Sequence, residues 1–110
     1  RLGIYMRSVV VILCSLAIYT SAYGDYFVRG TNSCGDWVVE RDKKSVGTFG
    51  NEAWLTGYLS GLAAATNTSF LKGADNPSLF LWMDNYCRAN PLSDTADAGS
   101  KLYLELSKKK

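Results

Sequence analysis

The chain contains no histidine. That gap removes the commonest general base, the commonest zinc ligand and every Ser-His or Cys-His nucleophile arrangement. Proline occurs only at Pro77 and Pro91, and cysteine only at Cys14, Cys34 and Cys87. No phosphate-cradling glycine loop, internal repeat, low-complexity tract or long linker is visible, and strand-like alternation is absent. Neither sign of charge is in excess. Of twelve Lys/Arg, two are Arg1 and Arg7, and the ten that follow meet ten Asp/Glu. A nucleic-acid partner needs a basic face. The only cluster, Lys108-Lys109-Lys110, falls where cations complement a helix C-terminus, so nucleic-acid binding is not expected. The longest apolar run, Val9 to Tyr19, is eleven residues, against the roughly 20 that span a bilayer.

What is present begins with a leader. Arg7 supplies a positive start, Val9 to Tyr19 an apolar core, and Ala22-Tyr23-Gly24 the small-x-small pattern of a cleavage site. Residues 1–24 therefore read as a signal peptide, with Arg1 to Tyr5 upstream of the initiator Met6. A membrane helix is the alternative, disfavoured by length. A lipoprotein site at Cys14 is disfavoured by Leu13, which stands where a small residue is needed. Export to a periplasmic or secreted location places Cys34 and Cys87 in an oxidising compartment, where an isolated pair becomes a disulfide. Two buried thiols in a cytosolic protein are the other reading. A bridge closes a loop of about 54 residues, worth roughly 4 kcal/mol in the chain-entropy account. That is a large share for a domain running only from 25 to 110, because small domains bury little core.

Behind the leader the apolar spacing is helical, and it predicts a single all-α, four-helix domain. Asp25 to Ser33 reads as an extended lead-in. The first helix is capped by Ser33 and runs to about Ser45, with Cys34, Trp37 and Val38 on one face; Gly47 to Gly50 ends it. Asn51 caps the second, where Trp54, Tyr58, Leu62 and Ala65 recur at three and four residues. It ends by Asn67, and Phe70 and Leu71 in the following loop plug into the core. Asn76-Pro77 opens the third helix. Leu79, Phe80, Trp82, Met83, Tyr86 and Cys87 cover its circumference, which predicts a central position. Pro91 ends it, and Ser93 caps a fourth helix with the stripe Ala96, Gly99, Leu102, Tyr103 and Leu106. A Cys34–Cys87 bridge then ties the start of helix one to the end of helix three. Gly57 and Gly61, one turn apart, each cost about 1 kcal/mol relative to alanine. Close internal helix packing is the expected compensation, and a groove for a partner's side chain is the alternative.

Candidate chemistry is thin. Asp36 and Glu40 at i, i+4 could form a hydrolase dyad, but such pairs are ordinary on solvated helix faces. Asp84 and Arg88 at the same spacing read as a surface ion pair. Asp94 and Asp97 suit a helix start. Trp37, Trp54 and Trp82 each fall on an apolar stripe, which is core placement first and carbohydrate or peptide binding second. Asn67-Thr68-Ser69 fits the N-glycosylation pattern. No catalytic residue, cofactor or metal is expected.

One pattern is recognisable across Cys34 to Leu106. It comprises Asp36-Trp37, Trp54-x-x-Gly57-Tyr58-Leu59-Ser60-Gly61, Lys72-Gly73-x-Asp75, Trp82-x-Asp84-x-Tyr86-Cys87 and Asn90-Pro91. It resembles the HdeA-like group of small exported helical proteins. The Gly-Tyr-x-Ser-Gly and Tyr-Cys-x-x-Asn-Pro stretches resemble the Tai-type immunity proteins that neutralise secreted peptidoglycan amidases. The resemblance implies a periplasmic, all-helical, non-enzymatic domain with a disulfide between Cys34 and Cys87. It implies a protein partner: a secreted toxin for the immunity type, or unfolded clients for an acid-stress chaperone of the HdeA type, with a homodimer as a further expectation. Trp54, Gly57, Tyr58, Gly61, Trp82 and Tyr86 are the candidate structural or interface residues. Tai-type proteins carry further cysteines that this chain lacks, with Ala53 and Trp54 near the first and lysines at the last.

Overall fold

Ser33 begins the first helix as its spacing predicts. Its hydroxyl accepts the Asp36 N–H at 3.0 Å, satisfying one of the donors a helix start leaves orphaned. The computed structural model describes residues 26–108; the expected leader and the last two lysines lie outside them. The described residues form four helices: α1 (Cys34–Lys43), α2 (Val46–Thr66), α3 (Asn76–Ala89) and α4 (Thr95–Ser107). None of these helices is long and apolar enough to cross a membrane.

Three boundaries differ from expectation, each for a local reason. α2 starts at Val46, so Gly47 and Gly50 are helical and Asn51 is not a cap. The break falls instead at Lys44, left-handed with φ 51°, whose N–H closes on Arg41 and Glu40. α3 is capped by Asp75 rather than Asn76, and α4 by Asp94 rather than Ser93. The two carboxylates accept the N–H groups of Ser78 and Asp97, both at 2.8 Å. Ser93 is otherwise engaged, its carbonyl accepting the Cys34 N–H at 2.8 Å.

The four helices stand as a square. α1 and α4 each pack on both α2 and α3, while α2 and α3 occupy opposite corners. The expected central helix α3 is therefore a corner helix. It buries Leu79, Met83 and Cys87 and leaves Leu81 59 % exposed. Cys34, Trp37, Leu55, Leu59, Ala98 and Leu102 complete the core, at about 1.5–3 kcal/mol for each large side chain withdrawn from water. Phe70 and Leu71 pack against its rim, as predicted.

The disulfide joins Cys34 to Cys87 with Cα atoms 4.7 Å apart, linking the first turn of α1 to the last of α3. Residues 26–33 form a strap that ends on the N-terminus of α4. There the Asn32 carbonyl accepts the Thr95 N–H at 2.8 Å, and the Thr31 hydroxyl accepts that of Ala96 at 3.1 Å. The strap thus supplies partners that α4 cannot find within itself.

Candidate functional site

The densest polar arrangement joins α1 to α3. Asp84 accepts three charge-assisted or indole hydrogen bonds: Trp37 Nε1 at 2.7 Å, Arg41 Nε at 2.8 Å and Arg41 NH2 at 2.7 Å. The other arm of the Arg41 fork reaches Glu52 on α2 at 2.7 Å. Asp84 holds the Arg41 guanidinium above its ordinary pKa, against the opposing effect of burial. Here the local reading fails: Asp84 pairs with Arg41, and Arg88 reaches across to Asp42 at 2.6 Å. Every member is partnered within the fold, and the arrangement locks α1, α2 and α3 together.

The six residues singled out from the sequence separate into two places. Trp82 and Tyr86 lie on α3, rings stacked at 5.3 Å. Trp82 also borders a cavity of about 310 Å³ floored by Leu79 and Leu102, with Lys72 and Glu105 among its lining. The other four are on α2, at the opposite corner. Trp54 stacks on Tyr58 at 5.0 Å, and its indole N–H donates to the Arg29 carbonyl at 2.9 Å. The Tyr58 hydroxyl shares a hydrogen bond with Ser100 on α4 at 2.7 Å.

Gly57 and Gly61 do not pack closely inside. A Cβ built on either meets nothing within 4 Å. A glycine that does serve close packing between helices is Gly99 on α4, where a Cβ would lie 3.0 Å from the Tyr58 ring. Gly57 and Gly61 belong instead to an outward face that also carries Val46, Gly50, Ala53, Ser60 and Ala64, all exposed. Their spacing of three and four residues puts them on one side of the helix. Glu52 is the only charged residue in all of α2, and it turns inward to Arg41. Sequence reasoning found two of these small residues and missed the others, although the period was there to read. It also took Asn51 for a cap, when Asn51, Leu55 and Leu59 at four-residue steps mark the buried face.

Asp36 and Glu40 both border a cleft between α1 and α2. Glu40 accepts the Ser45 hydroxyl, and Asp36 has no side-chain partner among the described residues. Compared with family models, with curated proteins and with solved structures, the chain matches none.

Proposed function

We propose that this is an exported, non-catalytic protein-binding module of immunity or inhibitor type, and that the outward face of α2 is its recognition surface. One observation carries the reading. Gly50, Gly57 and Gly61 each weaken the helix by about 1 kcal/mol relative to alanine, and no neighbour within the fold occupies the space they leave. A backbone approaching from outside is what such a surface admits, because small side chains let two helices come close. The face also carries no charge that an apolar partner would have to desolvate. The disulfide supports export, since such bonds persist in oxidising compartments. The absence of histidine and the internal pairing of Asp84, which accepts three hydrogen bonds, support a role without catalysis.

The test uses tagged chain expressed in its native host, with the partner quantified by mass spectrometry after capture. Gly57→Leu together with Gly61→Leu is expected to abolish retention without lowering the unfolding temperature. Equal retention by parent and variant would defeat the reading. Native mass spectrometry then distinguishes a foreign partner from a second copy.

An acid-released chaperone is the second reading, and a specific feature favours it: the charged ties between helices, and the caps of α3 and α4, end on carboxylates. Asp84 gathers Trp37 and Arg41, Asp42 holds Arg88, and Asp75 and Asp94 cap α3 and α4. Dye binding and suppression of client aggregation between pH 7 and pH 2 decide it. A domain that stays compact and inert in acid is not such a chaperone.

A further inference from the structure

The cavity beside Trp82 is walled by the α2–α3 connection, α3 and α4, and no residue of the outward α2 face belongs to it. Leu79 and Leu102, 4 % and 2 % exposed, form its floor, and Phe70, Trp82 and Leu106 add apolar wall. Two groups of opposite charge share the lining: Lys72 from the connection and Glu105 from α4. They do not pair with each other, and neither side chain has an ion-pair partner among the described residues. The volume of about 310 Å³ stands at the small end of the roughly 300–1,000 Å³ of ligand pockets.

The walls are set by contacts that need no ligand. Phe70 meets Tyr103 edge-on with centroids 4.8 Å apart, and Trp82 stacks on Tyr86 at 5.3 Å. Two turns close the connection that carries Lys72. The Lys72 N–H donates to the Ser69 carbonyl at 3.0 Å, and the Ala74 N–H to that of Leu71 at 3.1 Å. Gly73 lies between them with φ 87°, a conformation that glycine adopts at no steric cost. The apolar walls and the backbone beneath Lys72 are thus in place before a ligand arrives, which lowers the cost of binding.

The two charges discriminate among apolar ligands. A carboxylic acid is drawn to Lys72 and repelled by Glu105, and an amine the reverse. A neutral apolar molecule covers both charges and pairs neither. A residue inside a peptide is flanked by neutral amides, and one at a chain end carries a single charge. A free α-amino acid sets an ammonium and a carboxylate beside one side chain, so both charges of the lining are met. We propose that this cavity binds a free apolar amino acid, aromatic or branched. Its side chain lies against Trp82, Phe70 and Leu79, its carboxylate toward Lys72 and its ammonium toward Glu105.

The Trp82 indole and the Leu79 methyl groups are direct reporters in heteronuclear NMR spectra of the purified chain. L-Phenylalanine and L-leucine are the probes. Each is compared with the acid that lacks its ammonium (3-phenylpropanoate, 4-methylpentanoate) and the amine that lacks its carboxylate (phenethylamine, isopentylamine). At least one amino acid is expected to shift both reporters saturably and to bind about fivefold more tightly than either of its analogues. Glu105→Ala should weaken that amino acid and strengthen the acid. Lys72→Ala should weaken it and strengthen the amine. A residue with a merely structural role would not exchange the preference in this way. Both side chains are exposed, so neither change should lower the unfolding temperature. Gly57→Leu should leave the titration unchanged, which separates this site from the α2 face. Four results overturn the proposal: neither amino acid binds, an analogue binds as tightly as its amino acid, the tripeptide Gly-Phe-Gly competes equally, or the two alanine variants keep the parent's order of preference.

Discussion

α2 and α3 occupy opposite corners of one bundle and are held in opposite ways. α3 is tied to α1 by the Cys34–Cys87 bond, by the three donors that converge on Asp84, and by the Arg88–Asp42 pair. α2 is held chiefly by shape, Leu55 and Leu59 in the core and Tyr58 seated on Gly99, with one ion pair to Arg41 through Glu52 and one hydrogen bond from Tyr58 to Ser100 beside it. Its outward face, Val46 apart, is glycine, alanine and serine with no charge. The α1–α3 seam therefore supplies rigidity, and α2 is free to carry a surface whose composition costs helix stability. A module that must stay folded while exposing a weak helix needs this division.

The largest expected effect breaks the stronger corner. Replacing Cys34 and Cys87 by alanine, or reducing the bond, should cost roughly 4 kcal/mol. Native domains hold about 5–15 kcal/mol in all, so the denaturation midpoint should fall steeply and the domain should be largely unfolded on warming. A midpoint unmoved by reductant would show that the α1–α3 seam does not depend on its covalent tie.

Asp84→Ala comes next. It leaves the Trp37 indole N–H and two Arg41 donors without their acceptor, in a site where the Asp84 and Arg41 side chains are 15 % and 26 % exposed. The loss should be about 2 kcal/mol, read from equilibrium unfolding. Asp42→Ala, at an exposed pair on the same seam, should stay within error of the parent.

This pair of residues also shows how far the sequence could be read. The cysteine pair, 53 positions apart, was legible because only two cysteines follow the expected leader, and helical periodicity and the Ser33 cap because each depends on neighbours a few residues away. Asp84 was misread for the same reason. Its spacing to Arg88 is local, but its true partner Arg41 is brought from 43 positions away by tertiary packing. Gly47 and Gly50 were misread as a break because glycine usually punctuates helices. At Gly47 the missing side chain makes room for the Glu40 carboxyl, and that need appears only when α1 and α2 fold back on each other. The cleft between α1 and α2 was half legible: Asp36 and Glu40 stood out as a pair, whereas Asn51 and Trp54 joined them only through the turn at Lys44 and Ser45.

Alanine substitutions at glycine sharpen the contrast at the weaker corner. Gly99→Ala should destabilise by about 1 kcal/mol, because the Tyr58 ring is held by Ser100 and cannot retreat from a Cβ at 3.0 Å. Gly57→Ala and Gly61→Ala should instead each stabilise by about 0.5–1 kcal/mol, since both open onto solvent. Thermal unfolding of the three variants side by side is sufficient. Destabilisation at Gly57 would mean that the outer face of α2 is packed against something within the fold.

Acid should act at the α3 corner first, though weakly. Hydrogen bonding from Arg88 lowers the Asp42 pKa below its usual value, and hydrogen bonding from Ser78 does the same for Asp75 at the start of α3. A carboxyl whose folded pKa is depressed contributes stability above its unfolded pKa, near 3.9. It loses that contribution as the pH falls through the lower folded value. The expected result is flat stability from pH 7 to about pH 5 and a shallow decline below about pH 4, smaller in an Asp42→Asn, Asp75→Asn double variant than in the parent. Hydrogen exchange should show the loss at the N-terminus of α3 and along its face toward α1, while amides of α2 from Leu55 to Leu62 keep their protection. If α2 were to open first in acid, the corner held by shape would be the more labile of the two, and the division of labour drawn between them would be reversed.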